Sequence, residues 1–107
     1  VIEPLLAAER ALVAGLLDQA ERLYRGVADQ DPRNSIAVVG LARVALERGD
    51  ELGALELARR ALTIDRDNVA ARHLVDRLIE VRRFRGDEVP PPAPEKRTLI
   101  DRLRRRS

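Results

Sequence analysis

Two stretches of the chain decide its fold: AGLLDQAERLYRGVADQDPRN, Ala14 to Asn34, and RGDELGALELARRALTIDRDN, Arg48 to Asn68. Laid over itself with a shift of 34, the chain places Ala8 on Ala42, Ala11 on Ala45, Gly15 on Gly49 and Ala20 on Ala54. Leu5 falls on Val39, Leu12 on Leu46, Val27 on Ala61, Asp31 on Asp65 and Asn34 on Asn68. Internal repetition at this period is the signature of stacked supersecondary units.

Each copy reads as two helices. The first is expected over about Glu3 to Ala14, with Pro4 tolerated in its first turn, and Gly15 breaks it. The second is expected from Leu17 to Gln30, ending at Asp31-Pro32. In the next copy Asn34 or Ser35 caps a helix to about Arg48, Gly49-Asp50 turns the chain, and Asp50 caps a helix to Ile64. Asp67 or Asn68 opens a fifth helix at Val69. Arg83 stands where Gly15 and Gly49 stood, so this helix is expected to run on to about Arg85 and stop at Gly86. A lone helix there covers the open apolar end of a stack.

The composition agrees. Of 107 residues 45% are hydrophobic and 36% charged, and Tyr24 and Phe84 are the only aromatics. A core of Ala, Val, Leu and Ile suits closely packed helices. Cysteine is absent, so no disulfide framework or thiolate site exists. No apolar run approaches the ~18 residues of a membrane span. Arginine supplies all the basic residues but Lys96, a bias suggesting GC-rich bacterial coding. Residues 1–84 hold 13 Arg against 14 acids and residues 85–107 hold 7 basic residues against 4 acids, so the net charge of +2 belongs to the tail. The chain opens on Val1, which raises the expectation of a piece of a larger protein.

At these positions the sequence resembles the tetratricopeptide repeat (TPR) family, a 34-residue helix–turn–helix repeat. Ala8, Gly15, Ala20, Tyr24 and Pro32 match its pattern in the first copy, and Ala42, Gly49, Ala54, Ala61 and Leu62 match it closely in the second. Departures are Pro4, Val38 and Arg72 where the family favours tryptophan, Ala58 at the position of Tyr24, and Arg66 at that of Pro32. The resemblance covers Val1 to about Phe84. It implies an all-α helical solenoid of about two and a half repeats (residues 1–86), followed by a Pro-rich linker (87–94) and a short basic amphipathic C-terminal helix (95–107).

The resemblance also implies a groove lined by the first helix of each pair: Ile2, Leu5, Glu9 and Leu12, then Ile36, Val39, Arg43 and Leu46, then Ala70, His73, Arg77 and Glu80. Each set steps by three or four, as one helical face requires. Leu5, Leu12, Val39 and Leu46 suit helix–helix packing equally well. Arg43 and Arg77 suit a carboxylate or acidic peptide, or ion pairs with Glu9, Glu47 or Glu80. TPR domains that grip the acidic C-terminus of heat-shock chaperones use Lys, Asn and Arg here. With Glu9 in the first copy and no asparagine expected in the groove, that activity is not expected.

Catalysis has little support. His73 is the only histidine, so neither a zinc set nor a Cys–His pair is available. Gly40, Gly49 and Gly53 lack phosphate-loop spacing, and Asp65 and Asp67 suit capping of the turn. No cofactor or metal is expected. The expected role is a cytoplasmic scaffold or adaptor that binds a protein or peptide. The alternative is a regulatory or chaperone-accessory domain whose catalytic part lies outside this chain.

The segment VPPPAP (Val89 to Pro94) excludes helix and reads as a polyproline-like spacer of roughly 19 Å at about 3.1 Å per residue. In EKRTLIDRLRRRS (95–107), Leu99, Ile100 and Leu103 fall on one side of a helix too short to be stable alone. Docking of those three on the chain's own groove or on a neighbour's, making a homodimer, is the expectation. An anionic membrane surface is a less favoured target. Nucleic acid is not expected, since no aromatic stands near the arginines for base stacking.

Overall fold

The computed structural model describes residues 2–93. Five helices follow in order: α1 (Ile2–Val13), α2 (Leu17–Gln30), α3 (Ser35–Glu47), α4 (Glu51–Ile64) and α5 (Val69–Arg85). No strand occurs among the described residues. The architecture is the all-α helical repeat read from the sequence, with boundaries shifted by a residue at α1 and α3.

The turns repeat along with the sequence. Gly15, Gly49 and Gly86 all adopt positive φ, at 79°, 84° and 79°, a region that side chains with a Cβ rarely occupy. Each glycine N–H bonds three residues back and the next N–H bonds five residues back: Gly15 to Leu12 and Leu16 to Ala11, Gly49 to Leu46 and Asp50 to Ala45, Gly86 to Arg83 and Asp87 to Arg82. This is the Schellman lock of a helix C-terminus. With Arg83 at the third copy's turn position, the lock forms three residues later.

The starts are capped by side chains. Asn34 Oδ1 accepts from Ala37 N–H at 3.1 Å, Asp50 Oδ1 from Gly53 N–H at 2.9 Å and Asn68 Oδ1 from Ala71 N–H at 3.0 Å. The caps left open in the sequence are thus Asn34 and Asn68. Asp65 instead shapes the turn, accepting from Asp67 N–H at 3.0 Å, as Asp31 does from Arg33 N–H at 3.3 Å.

α1 packs on α2 and α3 on α4 as hairpins, and the α2–α3 and α4–α5 seams join them. Ala8, Ala20, Ala42 and Ala54 have no exposed surface. Small side chains at these crossings bring the helix axes to the short end of the usual ~8–10 Å spacing. The seams differ in filling. Tyr24 of α2 lies against Gly40 of α3, where a Cβ would overlap the ring. One period later the pair is Ala58 and Leu74, which pack in one apolar cluster. The bulk has moved from one side of the seam to the other.

Arginine ties also recur across the seams. Arg48 reaches Asp18 at 2.7 Å and Glu21 at 3.5 Å. Arg82, 34 residues later, reaches Glu51 at 2.9 Å, and Arg85 also pairs with Glu51. Both arginines stand one residue before the turn position of their copy. After Gly86 the chain folds back on the helices. Val89 packs on the α4–α5 cluster, Arg82 Nε donates to the Glu88 carbonyl and Arg59 donates to the Pro90 carbonyl, both at 2.7 Å.

Candidate functional site

α1, α3 and α5 carry three adjoining hollows. The first, about 380 Å³, is lined by Leu5, Glu9, Tyr24, Ile36, Val39 and Arg43, with Asn68 and Ala70 beyond. The second, about 600 Å³, shares Val39, Arg43 and Ala70 with it and adds Leu12, Leu46, His73 and Leu74. The third, about 550 Å³, shares His73 and adds Asp76, Arg77 and Glu80. The helical spacing of three and four residues places these side chains in one line.

Of the twelve groove positions expected from the sequence, the eleven from Leu5 to Glu80 border this run, in unequal ways. Leu12 and Val39 are buried and offer little surface, whereas Leu5 and Leu46 are half-buried. His73 and Arg77 are exposed, as is Ile36 at 62%. Leu99, Ile100 and Leu103, the proposed docking residues of the tail, lie outside the described residues.

The polar centre joins three helices. Arg43 of α3 makes a bidentate pair with Glu9 of α1, at 2.7 Å to Oε2 and 3.2 Å to Oε1. Tyr24 of α2, only 3% exposed, donates its hydroxyl to the same Oε2 at 3.0 Å. Of the partners open to Arg43, Glu9 is the one it takes, and a fork-to-fork geometry fixes both side chains. Among the described residues Arg77 makes no ion pair. The hydroxyl of Tyr24 had no signal in the sequence beyond its being the only tyrosine. An asparagine does border the groove, contrary to expectation. Asn68 is committed elsewhere, however, capping α5 and donating through Nδ2 to Ser35 Oγ at 3.0 Å.

These contacts shift the titrations. The Arg43 hydrogen bond, reinforced by Tyr24, holds the Glu9 carboxyl below its ordinary value of 4.5 against an opposing push from burial. Burial, then the bond to Glu9, pushes the Tyr24 phenol up to about 12. Because the folded-state value of Glu9 is depressed, the unfolded chain binds more protons in acid. The stability Glu9 contributes is complete above the ordinary value and is lost as pH falls through the folded one. Glu9→Gln is expected to flatten the acid limb of stability against pH, measured by urea unfolding from pH 6 to about 3. Identical slopes would show that the pair does not couple to folding.

Residues 11–78 match the sequence model of a tetratricopeptide repeat. The chain belongs to the tetratricopeptide repeat family. TPR repeats generally mediate protein–protein interaction and are generally non-catalytic. Over 56 residues, 52% of its length, this TPR chain is 38% identical to Cellulose synthase 1 operon protein C of Komagataeibacter xylinus. That stretch is 4% of the relative, so the chain spans a small part of its length. No helix among the described residues is long and apolar enough to cross a membrane, and no cluster of metal-ligating side chains occurs among them.

Proposed function

We propose that this TPR domain is a non-catalytic cytoplasmic interaction module that seats a peptide or helix along the face of α1, α3 and α5. The continuity of the three hollows carries the reading: Val39, Arg43 and Ala70 border two of them and His73 the next two. Ile36 and Leu5 supply an apolar end, and His73, Asp76, Arg77 and Glu80 a polar end of mixed charge. A ligand suited to both has aliphatic side chains followed, a few residues on, by a carboxylate for Arg77 and a donor for Asp76 or Glu80. Arg43, already paired with Glu9, orders the floor, while Arg77 is the residue placed to meet the ligand's charge.

Selection of displayed random peptides against the chain, followed by fluorescence anisotropy, tests this. Ile36→Asp and Arg77→Glu are expected to weaken the selected peptides about tenfold or more each, roughly 1.4 kcal/mol, with helicity unchanged. Equal binding by wild type and both variants would remove the ligand from this face.

The tail enters the proposal as a displaceable competitor. Burying Leu99, Ile100 and Leu103 gains at most about 1.5–3 kcal/mol each, while ordering some ten residues costs roughly 1–2 kcal/mol apiece. Such a plug yields readily to a true partner. Deleting residues 95–107 is expected to raise peptide affinity, and where tails are exchanged between copies, to turn a dimer into a monomer. Unchanged affinity and mass after deletion would leave the tail without this role.

A further inference from the structure

The repeat reveals which positions of a first helix face the helix pair before it. In α3 they are Ala37, Leu41 and Val44, buried with Tyr24, Val27 and Ala28 of α2, together with Gly40 beneath the Tyr24 ring. In α5 they are Ala71, Leu74, Val75 and Leu78, packed into the clusters of α4. One period before α3, the same positions in α1 are Glu3, Leu6, Ala7 and Arg10. Glu3 and Arg10 are exposed, Leu6 is 47% exposed and Ala7 is half-buried.

This stripe differs from the seams inside the molecule. Charged residues stand where the seams bury alanine and valine or leucine. The seam arginine of Arg48 and Arg82 is replaced by Ala14. The stripe is instead complementary to itself. An antiparallel second α1, related by a two-fold axis between residues 6 and 7, sets Glu3 opposite Arg10 and Arg10 opposite Glu3, with Leu6 and Ala7 each beside its own copy on either flank of the axis. Acid meets base at both ends, and in the middle the two Ala7 side chains permit close helix approach while the two Leu6 side chains supply apolar contact. A self-complementary patch of this kind is what an isologous two-fold interface requires.

We infer that the occupant of this face is a second copy of the chain, in a homodimer built on antiparallel α1 helices. One helix face per protomer falls at the small end of specific interfaces, so the dimer is concentration-dependent, and its end pairs make it weaken as salt rises. The interface is independent of the tail and leaves the α1–α3–α5 hollows to other ligands.

Sedimentation velocity on the full chain over a concentration series tests the inference. The wild type dimerises, and Glu3→Arg or Arg10→Glu alone raises the dissociation constant at least about tenfold by setting like charges together. The double variant E3R/R10E restores it, because the swap keeps every pair opposite. Deleting residues 95–107 leaves the dimer intact, which separates it from a tail-exchanged pair. As a second readout, the chain has no cysteine, so Ala7→Cys is expected to form a cross-chain disulfide on mild oxidation and Leu16→Cys is not. A wild type monomeric up to about 1 mM overturns the inference. So do single variants that dimerise like wild type, a charge swap that fails to restore the dimer, or loss of the dimer on deleting the tail.

Discussion

Gly40→Leu is expected to be strongly damaging, lowering the melting temperature of this domain by about 10 °C or more. Any Cβ at this site overlaps Cδ1, Cε1 and Cζ of Tyr24. The ring has no easy retreat, because Tyr24 is buried in the first core cluster and its hydroxyl is tied to Glu9. Overpacking of this kind costs about 1–3 kcal/mol and occasionally more, and displacing the ring also gives up the hydrogen bond, about 1 kcal/mol. Leucine's better helix propensity returns only up to about 1 kcal/mol. A net loss of about 3 kcal/mol is a large share of the 5–15 kcal/mol typical of a folded domain, and each kcal/mol moves the midpoint of a domain this size by about 4–8 °C. The next seam supplies the cure. Ala58 and Leu74 show that a small residue on the second helix accommodates leucine on the facing one. Tyr24→Ala alone is expected to cost about 3–5 kcal/mol through its cavity, yet the double variant Y24A/G40L is expected to be more stable than either single one. A double variant whose losses simply add would show that the two side chains do not share the seam.

That exchange of bulk marks the limit of what the sequence disclosed. The period, the two turn glycines, the run-on at Arg83 and the stop at Gly86 were all legible, because each is a local backbone requirement written in one residue. Alanine at the four crossings was legible for a similar reason: repetition exposes it. The caps were half legible. Asn34 and Ser35, or Asp67 and Asn68, are equally good cap formers, and only the position of the side chain oxygen decides between neighbours. What the sequence concealed are contacts between residues with no periodic relation. Tyr24 and Gly40 lie 16 apart on different helices, and neither names the other when read alone. Tyr24 and Glu9 lie 15 apart. Glu9 and Arg43 do lie one period apart, but three acids suited the arginine equally and nothing local favoured one. The docking of Val89 and Pro90 on α4 and α5 was hidden because proline content reports an extended backbone and says nothing of where it lies.

The crossing alanines lead to the second large effect, which separates the two hairpins. Ala20 and Ala54 occupy the same repeat position and both have no exposed surface. Leucine at either adds three carbons to a filled site. The cost depends on whether a helix is able to move aside. Ala54 sits in the α3–α4 hairpin, the most extensively packed pair, and both helices are held from outside, α3 by α2 and α4 by α5. Ala20 sits between α2 and α1, and no other helix among the described residues packs on the far side of α1, the Glu3, Leu6, Ala7 and Arg10 stripe. Ala54→Leu is therefore expected near the upper end of the 1–3 kcal/mol range and Ala20→Leu near the lower. The manner of loss differs as well. In a stack where each unit touches only its neighbours, damage at one end stays local. Ala20→Leu is expected to strip hydrogen-exchange protection from α1 while α4 and α5 keep theirs, whereas Ala54→Leu lowers protection throughout. Swinging α1 outward also draws Glu9 from Arg43, so Ala20→Leu, despite its milder cost, is expected to weaken selected peptides. Equal destabilisation by the two variants, with uniform loss of protection in both, would mean that the hairpins fold as one block and that α1 is held as firmly as α3.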